Sequence, residues 1–237
     1  MTLYDLPLEG RDAYFAWLHE RHIPELLKRP GFLWAAHYAS VDKATIPKAK
    51  DKIRTDDASV PASDRYILLV GAEDAKVFLN PVPSALRAEL SDESRKMLAM
   101  RIGERENIMA EFARVEGPAM KEYQDGMALA PCVQIGSYDC RWQHEEDMLA
   151  WYTQWRLPAM GRLPGCVRTR KLVSLAGWGK HAVLYEFASV EIRNEYFPKH
   201  EDGRPEIKAW SHRMVANLIH APTSPYLARR IWPAVTN

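Results

Sequence analysis

A segment near the start of the chain recurs 134 residues later. The sequence AWLHERHIPELLKRPGF at 16–32 aligns without a gap with AWYTQWRLPAMGRLPGC at 150–166. The wider alignment of 4–41 with 138–175 has 8 identities in 38 positions, whereas average composition gives roughly two or three. This repeat constrains the fold more than any other feature, because both copies are expected to form the same structural unit.

The repeat also predicts the domain boundaries. RYILLVGA (65–72) resembles HAVLYEFA (181–188) and FARVEGP (112–118) resembles LARRIWP (227–233), both at an offset near 115. The offset changes because the first copy carries an insertion, 42–64, where the second has only AGWG. We therefore predict two units, 1–118 and 131–237, joined by a linker at 119–130. The insertion 42–64 is interpreted as either a lid over a pocket in the first unit or a disordered loop.

Hydrophobic periodicity predicts the same order of elements in both units. The predicted strands after the short first one are 32–41, 66–72 and 108–116 in the first unit, and 132–140, 166–175, 181–188 and 224–232 in the second. The predicted helical regions include 83–102, 144–162 and 204–219. Pro24 and Pro158 fall inside the first helix of each unit and should kink or end it. The resulting order, β-α-β-β-α-β, is that of the ferredoxin-like fold, so the class is α+β.

One motif carries a family resemblance. Trp17, His22 and Pro24 are followed by a Pro30-Gly31 turn that leads into a strand. This pattern resembles the dimeric α/β-barrel superfamily, nearest to its EthD-like branches. The resemblance implies that two ferredoxin-like units pair their sheets into one barrel, here as a pseudo-dimer within a single chain. The superfamily includes cofactor-free monooxygenases, polyketide cyclases, lactone isomerases and haem-handling enzymes, so the fold alone does not predict the activity.

The two copies differ in their histidines. At the offset of 134, His22 aligns with Arg156, and His19 aligns with Thr153. His19 and His22 share one helix face, and an imidazole titrates near neutral pH, as a general acid or base must. The alternative is that His22 only caps the helix end. We predict His22 and His19 as catalytic residues, with Tyr38 as a polar partner.

Further candidates for substrate binding lie on the predicted strands and on the first helix. Trp34 and Tyr38 alternate onto one strand face, and Arg168 takes the corresponding parity in the second copy. Each of these side chains has a structural alternative, either in the core or in solvent. The predicted substrate-binding residues are Tyr4, Trp17, Trp34, Tyr138, Arg156 and Arg168.

Several function classes are excluded. The net charge is +1, without the basic excess of a nucleic-acid binder. No apolar run approaches the length of a membrane helix. Cys132, Cys140 and Cys166 form no paired framework, which favours a reducing, cytoplasmic setting. HERH at 19–22 is not a zinc motif and no GxGxxG or Walker pattern occurs, so we expect neither a metal nor a cofactor.

Two classes of function remain open. The first is a cofactor-independent enzyme that acts on a small aromatic or apolar substrate by histidine acid/base chemistry, as a lyase, isomerase or cyclase, or alternatively as a cofactor-free monooxygenase. The second is a non-catalytic protein that binds a hydrophobic ligand or haem. In either case we expect a small-molecule partner, no nucleic acid, no membrane, and a monomeric pseudo-dimer or a homodimer.

Overall fold

The computed structural model describes residues 1–41, 52–123 and 130–235. The first half contains β1 (Thr2–Asp5), α1 (Arg11–Trp17), α2 (Ile23–Leu27), β2 (Phe32–Ser40), β3 (Ile53–Arg54), β4 (Tyr66–Ala72), α3 (Pro83–Glu89), α4 (Asp92–Leu98), β5 (Ile102–Glu106) and β6 (Ile108–Glu116). The second half contains β7 (Cys132–Cys140), α5 (Glu145–Trp151), α6 (Leu157–Met160), β8 (Cys166–Ala176), β9 (His181–Phe187), α7 (Val190–Tyr196), α8 (Pro205–Val215), β10 (Leu218–His220) and β11 (Tyr226–Trp232).

The strands form one largely antiparallel sheet, in the order β5-β1-β4-β2-β11-β7-β9-β8-β6. The last strand of each half crosses to the other half: β6 pairs with β8, and β11 pairs with β2. The two end strands, β5 and β6, are joined through Asn107, whose N–H donates to the Met1 carbonyl at 2.8 Å. The sheet therefore curls into a barrel to which both halves contribute strands.

The core has three layers, because alternate residues of each strand face opposite sides of the sheet. Ala36, Ile67 and Val133 belong to a cluster inside the barrel. Ala35 and Leu68, on the opposite faces of β2 and β4, pack with the helices of the first half. A third cluster lies beneath the helices of the second half. The fold is thus a barrel flanked by two helical layers.

The structure corrects several element boundaries. The predicted helix 83–102 is two helices, because Leu90 and Ser91 are extended and the Ser91 hydroxyl caps α4 by accepting from the Ser94 N–H. The short strands β5 and β10 and the helix α7 were not predicted. Runs of three to seven residues give too little periodicity to identify.

The insertion contributes a strand to the second half. Within 52–64, β3 pairs with β10, and Arg54 donates to the carbonyls of Ala221 and Ser224. The remainder of the predicted lid, 42–51, lies outside the described residues, as does most of the predicted linker, 124–129. The part of the linker that is described forms a short helical turn, Pro118–Glu122.

Candidate functional site

A turn of π-helix positions His22. Leu18–His22 adopts this wider turn, in which the Ile23 N–H donates to the Leu18 carbonyl. Pro24 lacks the N–H that a regular α-helix needs and would clash with the preceding turn, so the extra residue relieves the conflict. The second half has the same π turn at Tyr152–Arg156, before Pro158. The predicted kink is therefore a π turn in both halves.

His22 lies on the wall of a cavity. Its ring stacks on Trp17, with 4.7 Å between centroids. Burial, together with the positive charges of Arg101 and Arg87, lowers the pKa of His22 to about 4. The imidazole is therefore neutral at physiological pH and is able to accept a proton.

Arg101 provides a fixed cation on the same wall. Its Nε donates to the Tyr14 hydroxyl at 2.7 Å, and its Nη1 donates to Glu104 at 2.6 Å. Its Nη2 is buried and has no hydrogen-bond partner among the described residues. Two hydrogen bonds thus hold the guanidinium, and its positive charge, in place beside the cavity.

The cavity has a volume of about 970 Å³, within the range of small-molecule sites. Its wall combines apolar and charged side chains. The apolar ones include Leu26, Phe32, Phe78, Leu86, Leu90 and Leu98, and the charged ones include Glu25, Arg29, Arg87 and Glu89. A neutral imidazole and a held guanidinium beside apolar side chains suit an organic group that carries one polar oxygen.

His19 and Tyr4 do not line the cavity. Both contact His37, which was not among the predicted site residues. His37 is fully buried, and one of its ring nitrogens lies 2.8 Å from His19 Nε2. Its other ring nitrogen lies 2.8 Å from the Tyr4 hydroxyl. Burial lowers the pKa of His37 well below its usual value, and so do the nearby charges of His19 and Arg101. The three side chains form a buried hydrogen-bonded chain behind β2.

The predicted residues of the barrel interior separate into two groups. Trp34 and Arg168 line the cavity. The Tyr38 hydroxyl instead donates to the Ala130 carbonyl at 3.1 Å within the barrel core, and Tyr38 is not among the lining residues.

The candidates of the second half lie in its own core. The Tyr138 hydroxyl donates to the Tyr152 hydroxyl at 2.6 Å. Arg156, at the position of His22, donates from Nε to the Tyr185 hydroxyl at 2.9 Å and pairs with Glu201 at 3.3 Å. Its guanidinium lies 5.1 Å from the rings of Trp151 and Phe197. Neither Tyr138 nor Arg156 lines the cavity that contains His22.

The predicted site residues did not include His37 or Arg101, which both belong to the site region. His37 lies between Ala36 and Tyr38 on its strand, and a polar residue in this apolar run was the available signal. Arg101 ends a helical stretch in the sequence and contacts Tyr14, 87 residues away. No local pattern reports such a contact.

Neither a metal site nor a membrane span is found in the described residues. No three His, Cys, Asp or Glu side chains converge there in a way that could hold a metal ion. No helix of residues 1–41, 52–123 or 130–235 has the length and apolar character to cross a bilayer.

No protein-family model matches the sequence, and no curated protein matches it. Several solved structures have a similar fold. A candidate monooxygenase from Fusobacterium nucleatum aligns with a TM-score of 0.56 and 7% identity, over 97% of this chain and 88% of that chain. An anthrone oxidase-like protein aligns with a TM-score of 0.55 and 10% identity, over 97% and 89%. A candidate chlorite dismutase aligns with a TM-score of 0.52 and 16% identity, over 97% and 92%.

At sequence identities of 7% to 16%, the structural similarity is evidence for the fold alone. The similar proteins have the dimeric α/β-barrel fold. The resemblance that Trp17, His22, Pro24, Pro30 and Gly31 carried is confirmed at this level.

Proposed function

We propose that this chain is a cofactor-independent enzyme that removes a proton from a small aromatic or apolar organic substrate. The observation that carries the proposal is the neutral imidazole of His22 on the wall of a cavity that Arg101 and several apolar side chains also line. His22 accepts the proton from a carbon next to a carbonyl group, and the fixed positive charge of Arg101 stabilises the negative charge that develops on the carbonyl oxygen. Isomerisation, elimination or cyclisation then follows from the same enolate.

The electrostatics of the cavity support this division of roles. A pKa near 4 makes His22 a weak base in the empty cavity, because an imidazolium there is desolvated and faces Arg101 and Arg87. Negative charge that develops on the substrate oxygen offsets both effects, since it is buried beside the same cations. The imidazole therefore becomes a stronger base as the enolate forms.

Oxygenation is the second candidate. Two of the similar structures are described as a candidate monooxygenase and an anthrone oxidase-like protein. On a substrate CH₂ group, dioxygen would oxidise the carbanion to a hydroperoxide anion that takes back the proton held by His22. Loss of water from the hydroperoxide leaves a new carbonyl, which completes the balance without an added cofactor.

The residues near His22 do not fit haem. A histidine that ligates a metal ordinarily donates its second ring N–H to a carbonyl or carboxylate. Among the described residues, His22 has a stacked Trp17 but no such acceptor, and no hydrogen bond contributes to its pKa. We therefore derive no step through haem.

We also propose the tandem architecture. Units 1–118 and 131–237, joined at 119–130, would be two ferredoxin-like copies, so a monomer or homodimer completes its own barrel. The reciprocal pairing of β6 with β8 and of β11 with β2 supports this proposal. A cytoplasmic location stays a prediction, and three free cysteines are consistent with it.

Proton abstraction is testable without the natural substrate. We would incubate the protein in D₂O with anthrone, 2-tetralone and phenylacetone, and follow deuterium incorporation next to the carbonyl by NMR, with an oxygen electrode in parallel. We expect at least one compound to exchange faster than in buffer, and His22→Gln to lower that rate by about 100-fold or more. Oxygen uptake would identify the oxygenase alternative.

The exposed His212 supplies the control. His212→Gln removes an imidazole from α8 without touching the cavity, so its exchange rates should equal those of the unaltered protein. Exchange at the buffer rate for the whole panel, or undiminished exchange in His22→Gln, would contradict the proposal.

A further inference from the structure

The two halves differ in the length of their first strand. β7 (Cys132–Cys140) has 9 residues, whereas β1 (Thr2–Asp5) has 4. At the offset of 134, β1 corresponds to 136–139, so the preceding part of β7, Cys132–Ile135, has no counterpart in β1. The barrel wall of the second half thus contains a stretch of strand that the wall of the first half lacks.

In the second half this stretch lies between two other strands. Cys132–Ile135 pairs with 184–187 of β9 on one side and with 226–229 of β11 on the other. Both pairings are antiparallel. Val133 and Ile135 point into the barrel, where they belong to its inner cluster. The stretch therefore closes the wall through hydrogen bonds along both of its edges.

The corresponding strands of the first half have unpaired edges. The ladder between β1 and β4 ends at Thr2 opposite Leu68, and no other strand in the described part of the chain pairs with that edge of β4. Within the same residues, β6 pairs with β8 and with no second strand. Backbone N–H and C=O groups along such edges are free to pair with an added strand.

One cavity separates the two edges, and it is the cavity that contains His22. Its lining includes Val70, Gly71 and Ala72 of β4 and Ile108, Met109 and Ala110 of β6. Met1 lies at one end of this gap, where its carbonyl accepts from the Asn107 N–H at 2.8 Å. We call the space between 70–72 and 108–110 the strand slot.

Three leucines lie on the inner side of the strand slot. Leu69, Leu172 and Leu184 line the cavity and belong to the inner cluster of the barrel or pack against it. In the second half, Val133 and Ile135 contribute to the same cluster. Because alternate residues of a strand face the same side, an extended segment in the strand slot would place every second side chain against these leucines.

The two arginines that line the inner side are paired with carboxylates. Arg170 Nε lies 3.1 Å from Glu186 Oε1, and Arg168 Nη2 lies 3.3 Å from Glu116 Oε1. A ligand of the strand slot therefore meets paired charges, apolar side chains and two backbone edges. An uncharged segment of polypeptide suits these surroundings.

We infer that the strand slot binds an extended segment of a partner polypeptide, which forms a strand between β4 and β6 and runs antiparallel to both. Its alternate residues are apolar and β-branched, as Val133 and Ile135 are in the second half. Two free edges favour a backbone over a small apolar molecule, because a backbone presents donors and acceptors along both of its sides. The inference goes beyond the chemistry proposed for His22 and does not depend on it.

The probe is the synthetic peptide acetyl-PSVQIG-amide, which copies 131–136 with serine in place of Cys132. Its matched control carries methyl groups on the backbone nitrogens of the valine and the glutamine. Methylation keeps the side chains but removes one donor on each side, since successive N–H groups of a strand point to opposite edges. We expect calorimetry with the full-length protein to show that the probe binds about tenfold or more tightly than the control.

Amide hydrogen exchange, followed by mass spectrometry, locates the bound peptide. We expect the probe to slow exchange in both 70–72 and 108–110, because each edge gains backbone hydrogen bonds. Exchange in 226–229 of β11 supplies the internal control. This range is already paired with β7, so its exchange should not change.

Leu172→Gln tests the side-chain contacts of the strand slot. Leu172 is half-buried and lines the cavity, so the variant should weaken binding of the probe about fivefold or more. Leu175→Gln alters an exposed leucine of the same strand and should leave the affinity unchanged. Circular dichroism would show which variants are folded, and Leu172→Ala would replace Leu172→Gln if the latter is not.

No binding of the probe, equal affinity for the methylated control, or slowed exchange at only one edge would overturn the inference. Sedimentation of the protein without peptide tests the other occupant: a dimer with slow exchange in both 70–72 and 108–110 would assign the strand slot to a second copy. Peptide binding together with proton exchange that ignores His22 would overturn only the proposed chemistry. His22-dependent proton exchange without peptide binding would overturn only the strand slot.

Discussion

His22 and Arg156 occupy the same place in the two halves of the molecule and have opposite surroundings. Each ends a π turn that precedes a proline. Arg156 is held by Tyr185 and Glu201 and covered by aromatic rings, whereas His22 stacks on Trp17 and lines the cavity. The π turn therefore places a side chain in the same region of each half. The identity of that side chain determines whether the region is filled or available to a ligand.

The strongest test of this contrast is the cost of removing each side chain. Arg156→Met removes the cation paired with Glu201 and leaves the Tyr185 hydroxyl without this donor in a buried setting, so it should lower the free energy of unfolding by about 3 to 5 kcal/mol. His22→Met loses only a stacked ring contact and should cost about 1 kcal/mol. Urea unfolding followed by tryptophan fluorescence measures both. Equal costs would mean that Arg156 does not fill the second half as described.

A second pair of equivalent positions lies on β2 and β8. His37 and Lys171 align at the offset of 134, and both are fully buried behind the barrel. Lys171 Nζ lies 3.1 Å from His181 Nδ1 and 5.3 Å from the centroid of the Tyr152 ring. Burial lowers the pKa of Lys171 to about 7. At this position each half thus buries a basic group, but the two groups titrate in different ranges of pH.

Lys171 should make stability rise with pH above neutrality. Its folded pKa is about 7 and its unfolded pKa is about 10.4. Between these values the unfolded chain binds a proton that the native chain does not, so stability increases with pH. From pH 7 to about pH 9.5 the gain should be roughly 3 kcal/mol relative to Lys171→Met, at about 1.4 kcal/mol per pH unit. Denaturant titrations of both proteins across that range measure it.

His37→Met supplies the comparison. The folded pKa of His37 is lowered, so its contribution is a loss of stability as the pH falls below about 6.5, the unfolded value. The dependence of its stability on pH should therefore differ from that of the unaltered protein below about pH 6.5. Between pH 7 and about pH 9.5 the two dependences should match. A Lys171→Met profile parallel to that of the unaltered protein above pH 7 would show that Lys171 stays charged.

The strands were predictable and the site only in part. Ile108–Glu116, Cys132–Cys140 and Tyr66–Ala72 have the predicted bounds, because a run of apolar and β-branched residues is a local signal. His22 was predicted from the difference between the copies. Arg101, which lines the same cavity, was not, since its position depends on a hydrogen bond with Tyr14, 87 residues away. Long-range polar contacts of this kind leave no periodicity in a single sequence.

The smallest expected difference in stability concerns an indole–serine hydrogen bond that occurs once in each half. The Trp17 indole donates to Ser94 Oγ at 3.2 Å, and the Trp151 indole donates to Ser211 Oγ at 3.0 Å. Each bond joins the first helix of a half to its last. Ser211 also donates to Glu201 at 2.5 Å, which ties it to the cluster around Arg156.

Ser94→Ala should therefore cost roughly 1 kcal/mol, because it leaves one buried indole N–H unpaired. Ser211→Ala should cost roughly 2 kcal/mol, because it also removes a donor from a carboxylate. The exposed Ser84 gives the control, and Ser84→Ala should stay within about 0.5 kcal/mol of the unaltered protein. Thermal unfolding of the three variants measures the series. If Ser94→Ala lowered the free energy of unfolding more than Ser211→Ala, the expectation would be wrong. The helices of the first half would then be the more tightly connected ones.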